Sequence, residues 1–123
     1  MKTILAVDDA SANLQIIQGL LGEEYDIRLA KSGKMALTAL ERLTPDLILL
    51  DIEMPEMSGF EVLNIILQNN RLKKIPVVFL TAHTSKEFVI DALQRGAKDY
   101  IVKPFDPDIL RVKIKKALEE QPL

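Results

Sequence analysis

The stretch Pro45-Asp46-Leu47-Ile48-Leu49-Leu50-Asp51-Ile52-Glu53-Met54-Pro55 decides how this chain folds. Leu47 to Leu50 is apolar at every position and of strand length, so both faces of the strand have to be buried; that is the condition of a strand inside a parallel sheet. It ends in a carboxylate, Asp51. Working outward, Thr3–Asp8 and Val77–Thr81 read the same way, almost wholly apolar until their last residues. Tyr25–Ala30 alternates and carries Arg28, which places it at an edge, and Asp99–Val102 is the other edge. Amphipathic segments separate these runs. Five alternations of strand and helix predict a parallel sheet covered by helices on both faces.

The helices announce themselves by their ends as well as by period. Helix 1 is predicted over Ser11 to Leu21 and helix 2 over Ser32 to Leu43. In helix 3, Ser58 and Glu61 form a capping-box pattern ahead of Phe60, Val62, Leu63, Ile66 and Leu67, with the helix running to Asn69. Thr84 and Glu87 repeat the pattern for helix 4, which is predicted to bury Phe88, Val89, Ala92 and Leu93 and to stop near Gly96. Asp106-Pro107 gives helix 5 a cap followed by proline at the first helical position.

At 123 residues the chain has room for one core. Residues 1–119 are expected to form that single domain, and 120–123 a short tail or linker stub. A 48% apolar and 28% charged composition is that of a soluble globular protein, and the net charge of −2 offers no footprint for nucleic acid or an anionic membrane. Arg111, Lys113, Lys115 and Lys116 form a local basic run, read as a solvated helix face. There is no cysteine, hence no disulfide, thiolate metal site or thiol nucleophile. The opening run before Asp8 is too short for a signal peptide, and nothing approaches the ~20 apolar residues of a membrane span. A cytoplasmic location is expected.

In an open parallel sheet, ligands bind beyond the carboxyl ends of the strands. Strand 1 ends at Asp8-Asp9, strand 3 at Asp51, strand 4 at Thr81 and strand 5 at Lys103, so these five residues should converge. Taken singly each has an ordinary explanation: Asp8-Asp9 could begin helix 1, and Lys103-Pro104 could be a plain turn. Four strands delivering complementary groups to one edge is another matter. Three crowded carboxylates repel unless a cation sits among them, and all-oxygen ligands without Cys or His suit Mg2+, with Mn2+ as a substitute. Beside such an ion, Asp51 is the candidate nucleophile for phosphorus, with Lys103 neutralising phosphoryl oxygens and the Thr81 hydroxyl hydrogen-bonding one of them.

The ordered set Asp8-Asp9, the Pro45–Pro55 stretch with Ser58-Gly59, Thr81-Ala82 and Lys103-Pro104-Phe105 resembles the receiver domains of two-component response regulators, chemotaxis-regulator-like receivers in particular. The resemblance covers essentially the whole chain. It implies a flavodoxin-like, doubly wound α/β fold, a five-stranded parallel sheet in order 2-1-3-4-5 with five helices. It implies that Asp51 is the phosphoacceptor, that Asp9 binds the metal directly and Asp8 chiefly through water, and that the Glu53 backbone carbonyl completes the protein's ligands. Lys103-Pro104 looks like the family's cis peptide. Tyr100 matches the switch aromatic that turns inward when Thr81 is drawn to the phosphoryl group. Glu53 and His83, each two residues past a site residue, stand where side chains tune phosphoryl lifetime, although His83 also reads as an exposed loop residue. The implied partners are a sensor histidine kinase or histidine phosphotransfer protein as phosphohistidine donor, and a second copy or an output domain on the helix 4/strand 5/helix 5 face. Such a domain is not an enzyme in the usual sense, since it catalyses only its own phosphorylation and dephosphorylation.

Three rivals are weighed against this reading. Haloacid-dehalogenase-type phosphatases also use an aspartyl phosphate, but their nucleophile follows the first strand, whereas Asp51 follows the third. A nucleotide-binding relative would need a glycine loop after strand 1, where Asp-Asp-Ala-Ser-Ala stands. A receiver-like interaction module that works without phosphorylation remains as the alternative, although every required side chain is present. Asn13-Leu14-Gln15 resembles receivers joined to cyclic-dinucleotide-handling domains.

Overall fold

The computed structural model describes residues 1–119, and the tail or linker stub expected over 120–123 lies outside the described residues. Along the chain, β1 (Thr3–Val7), α1 (Ser11–Leu21), β2 (Asp26–Ala30), α2 (Gly33–Leu40), β3 (Leu47–Asp51), α3 (Gly59–Leu67), β4 (Val77–Thr81), α4 (Lys86–Gln94), β5 (Asp99–Val102) and α5 (Pro107–Glu119) alternate strictly. The strands form one parallel sheet in the order β2-β1-β3-β4-β5, the flavodoxin-like arrangement. Right-handed crossovers explain the layering. The step from β1 to β2 goes one way along the sheet and all later steps go the other, so α1 falls on one face and α2, α3 and α4 on the opposite one.

Strand parity then builds two cores. Leu5, Val7, Ile48, Leu50, Val77 and Phe79 point under α2, α3 and α4. Ile4, Ala6, Leu47, Leu49, Val78 and Leu80 point under α1 and α5. All five residues of β3 are buried, which is what its unbroken apolar run requires. Each leucine-sized side chain fully buried there stabilises by about 1.5–3 kcal/mol, so β3 is anchored from both sides.

Several element ends differ from the expectation. β1 stops at Val7, and the Asp8 side chain accepts hydrogen bonds from Ala10 N (2.9 Å) and Asn13 Nδ2 (3.1 Å), which ties the first turn of α1 to the strand end. β2 begins at Asp26, and α3 ends at Leu67. α2 ends at Leu40 instead of Leu43; the following turn is held from outside by the Arg71 guanidinium, which donates to Leu40 O, Leu43 O and Thr44 Oγ1. α4 is capped by Ser85, not Thr84, through Phe88 N at 3.3 Å. Only Ala92 of α4 is fully buried, and Leu93, expected inside, is 40% exposed, because the helix touches the sheet near its edge through a small residue. The basic run of α5 is not wholly a solvated face: Arg111 donates to Leu20 O and Lys113 turns back onto β5.

Gly96 after α4 has φ +114°, where a side chain is disfavoured. Gly59, at the start of α3, is constrained by space instead. A Cβ there would lie 2.4 Å from Asp51 O and 2.8 Å from Ile52 Cα. Its N–H donates to Ile52 O at 2.8 Å. Gly59→Ala should therefore push α3 off the end of β3, lowering stability by about 1–3 kcal/mol in denaturant titration. Unchanged stability would show that this close approach does not constrain the fold.

Candidate functional site

Register decides what meets at the carboxyl edge. Val7 pairs with Leu50, so Asp8, the next residue, stands level with Asp51. Asp51 pairs with Leu80, and Thr81 pairs with Val102, which brings Thr81 and Lys103 to the same rim. Parallel strands all end on one side, so one register error would have turned these side chains into the core.

Asp8 and Asp51 are buried at 0% and 2% exposure, whereas Asp9 is open to solvent. One carboxylate oxygen from each of the three lies within 4.8 Å of the others. The Lys103 ammonium bridges the two buried acids, 2.9 Å from Asp51 Oδ1 and 3.0 Å from Asp8 Oδ2. The Lys103-Pro104 peptide is cis. Asp51 Oδ2 is different: it is buried and accepts no hydrogen bond. An orphaned carboxylate oxygen costs about 1–3 kcal/mol or more, so it marks a position meant for something else. Hard oxygen donors, one of them unsatisfied and all close together, fit a divalent cation of the magnesium type.

The electrostatics agree. Burial pushes the Asp51 carboxyl up to about 6, the Lys103 hydrogen bond and charge pull it down, and the charge of Asp8 with the neighbouring Asp9 pushes it up again. For Lys103, burial works against the ammonium, but Asp51 and Asp8 outweigh it and its pKa is raised.

Thr81 is buried, and its Oγ1 accepts from His83 N at 2.9 Å. A hydroxyl used as acceptor keeps its proton to donate. Glu53 and His83 are brought together, since Glu53 Oε1 contacts His83 Nε2 across the rim. Their side chains are 66% and 52% exposed, so Glu53 does not join the buried acids. Sequence reasoning placed each near the site without seeing the pair; both stand two residues beyond the ends of adjacent strands, which was the available signal. Asn13, holding Asp8, was also not foreseen. Tyr100 is half-buried on β5 opposite Phe79, with its ring packed against the core beneath α2 to α4.

A parallel α/β domain with an acidic ligand edge is thus defined by fold and rim together. The model of the response regulator receiver domain matches residues 4–115. The chain belongs to that family. A probable cyclic di-GMP phosphodiesterase of Vibrio cholerae serotype O1 is 41% identical over 97% of this chain and 27% of its own length. The transcriptional regulatory protein ZraR of Escherichia coli K12 is 42% identical over 94% of this chain and 26% of its own. The chain thus spans about a quarter of these curated relatives. Among solved structures, the chemotaxis protein CheY4 of Vibrio cholerae superposes with a TM-score of 0.90 at 31% identity, covering 95% of this chain and 98% of that one. The receiver domain of a sensor histidine kinase from Pseudomonas aeruginosa PAO1, solved with magnesium in its active-site cleft, gives 0.88 at 28%, covering 97% and 98%.

The raised Asp51 pKa has a stability consequence. Its value of about 6 lies above the ordinary aspartate value of 3.8. The stability tied to protonated Asp51 is complete below pH 4 and is lost as pH rises through 6, by about 3 kcal/mol at most. In metal-free buffer, Asp51→Asn should raise stability at pH 7 by about 1–3 kcal/mol and flatten the pH dependence between 4 and 6. Denaturant titrations at several pH values test this; an Asn variant less stable than wild type at pH 7 would contradict it.

Proposed function

We propose that this domain, over residues 1–119, takes a phosphoryl group from a phosphohistidine onto Asp51 and uses the event to change its helix 4/strand 5/helix 5 face. The observation that carries the proposal is the state of the Asp51 carboxylate: buried, with Oδ1 on Lys103 and Oδ2 without a donor beside Asp8 and Asp9. The donor would be a sensor histidine kinase or a histidine phosphotransfer protein. We place the domain in the cytoplasm; no helix among the described residues is long and apolar enough to cross a membrane.

At pH 7 a carboxyl with a pKa near 6 is ionised and can attack phosphorus. An Asp51 oxygen forms the new P–O bond, the P–N bond to the donor imidazole breaks, and its electron pair stays on the imidazole nitrogen. Lys103, 2.9 Å from Asp51 Oδ1, is in place to neutralise charge on the transferring oxygens, and Thr81 donates its hydroxyl proton to one of them. Asp8, Asp9, Asp51 and the Glu53 carbonyl would hold a magnesium ion, with manganese as a substitute. When bound, the ion supplies the positive charge that three carboxylates and one lysine lack. Drawing Thr81 toward the phosphoryl group vacates space for Tyr100. Glu53 and His83, paired across the rim, stand where they govern water's approach to the phosphoryl group.

The altered face offers Ile90 and Leu93 of α4, Val102 of β5, and Ile109 and Val112 of α5, all between 36% and 66% exposed. Exposed apolar residues on these three elements suit a second copy or an output domain. The relatives are named for different outputs, a phosphodiesterase and a transcriptional regulator, which supports a receiver that signals through contact.

Intact-mass measurement after exposure to acetyl phosphate and magnesium should show one hydroxylamine-sensitive phosphoryl group on the wild type, and none on Asp51→Asn or without magnesium. Equal labelling of Asp51→Asn would refute the assignment, and no labelling at all would favour the phosphorylation-independent module. A second expectation concerns lifetime. Glu53→Met and His83→Ala should each change the dephosphorylation rate several-fold while leaving the labelled residue the same; unaltered decay in both would remove the pair from the mechanism.

A further inference from the structure

Lys113 belongs to α5, which covers one face of the sheet, yet its ammonium reaches round the β5 edge to Tyr100, whose ring packs against the core of the other face. Nζ donates to Tyr100 O at 2.6 Å and lies 3.3 Å from Asp99 Oδ1. The same ammonium stands 3.9 Å from the centroid of the Tyr100 ring. Asp99 Oδ1 accepts in turn from Tyr100 N at 2.8 Å, so Asp99, Tyr100 and Lys113 close a small circuit. The Lys113 and Asp99 side chains are 24% and 28% exposed, which shields their attraction only in part from water.

The circuit has a directional consequence. The carbonyl and carboxylate contacts tie the ammonium to the β5 backbone, whatever the ring does. A tyrosine side chain moves between staggered rotamers, and the present one lays the ring's negative face against the ammonium. The ring's contact with the ammonium depends on its rotamer; the lysine's contacts with Tyr100 O and Asp99 do not. In this state Thr81 Oγ1 accepts from His83 N, and the rotamer favoured by Lys113 is the one that accompanies this position of Thr81.

We propose that Lys113 is a positioning residue for Tyr100: it holds the ring in its present rotamer and thereby sets the fraction of molecules that reach the partner-competent arrangement before phosphorylation. The proposal rests on the reading of Tyr100 as the switch aromatic. It gives α5 a second task besides covering the sheet. Removing the charge while keeping the aliphatic stem should free the ring without disturbing packing, and an arginine, which stacks on aromatic faces as well, should hold it.

The chain has two tyrosines and no tryptophan, so ring signals of Tyr100 are separable from those of Tyr25 alone. Carbon-13 ring resonances of Tyr100 should be recorded for wild type, Lys113→Met and Lys113→Arg, without ligand and with beryllofluoride plus magnesium as a mimic of the phosphorylated state. In unliganded Lys113→Met, the Tyr100 signals should move toward their beryllofluoride positions, reporting a roughly 3- to 10-fold rise in the ratio of the two ring rotamers. Lys113→Arg should stay with the wild type. All three should take a phosphoryl group from acetyl phosphate, which separates this result from a failure at Asp51. The proposal is overturned if Lys113→Met leaves the unliganded Tyr100 signals in place, or if Lys113→Arg moves them as far as methionine does. Wild-type Tyr100 signals that beryllofluoride does not move would overturn the switch reading, and the coupling half of the proposal with it.

Discussion

One ammonium shared between two buried carboxylates holds the rim of this domain together. Lys103 sits 2.9 Å from Asp51 and 3.0 Å from Asp8, and neither acid has solvent to fall back on. The arrangement is under-neutralised, because Asp9 adds a third negative group within 4.8 Å of the two that Lys103 bridges. The imbalance shows in two places: Asp51 Oδ2 has no donor, and burial with the Asp8 charge lifts the Asp51 pKa to about 6 despite Lys103. A site left short of positive charge is one that favours a divalent cation and a phosphoryl group arriving together, since each compensates for what the other brings.

The rim is mechanically joined to the rest of the molecule through the turn after β4. Thr81 and His83 share a hydrogen bond, His83 meets Glu53 across the rim, and the His83 ring lies 4.6 Å from that of Phe88 in α4. Phe88 lies 6.0 Å from Phe60, which stands edge-on to Phe79 at 5.3 Å, with the Arg95 guanidinium 4.4 Å above Phe60. Thr81 is thus joined by contacts to packed rings on α3 and α4, on the same face of the sheet as the Tyr100 ring. Contiguity of this kind supplies a physical path, while the two-state element itself would be Tyr100.

Most of the fold could be read in the chain because a parallel sheet writes itself in runs. The unbroken apolar β3 and the alternating, charged β2 sort centre from edge before any coordinates are known. The convergence of Asp8, Asp51, Thr81 and Lys103 followed from where strands end. What escaped were features depending on side-chain reach. Nothing local distinguishes Lys113 from Lys115, yet helical phase turns the former back over β5. The cap at Ser85 and the exposure of Leu93 depend on how near the sheet edge α4 settles, a tertiary matter that period and propensity do not carry. The Glu53–His83 pair depended on two loops meeting over the rim, which register suggests and loop conformation decides.

Magnitudes explain why weak contacts matter in such a device. Reversing a two-state population from 1:99 to 99:1 takes about 5.5 kcal/mol of differential interaction. Charge-assisted hydrogen bonds supply roughly 1.5–3 kcal/mol each, so new bonds from Thr81 and Lys103 to a phosphoryl group are of the right size to drive the proposed switch, with little to spare. Against that margin, a partly shielded cation over a ring, worth about 1 kcal/mol, neither creates nor abolishes switching. It moves the starting point. On the proposed reading, Lys113, outside the chemistry but in contact with the element that would move, is thus where this domain's signal at rest would be set.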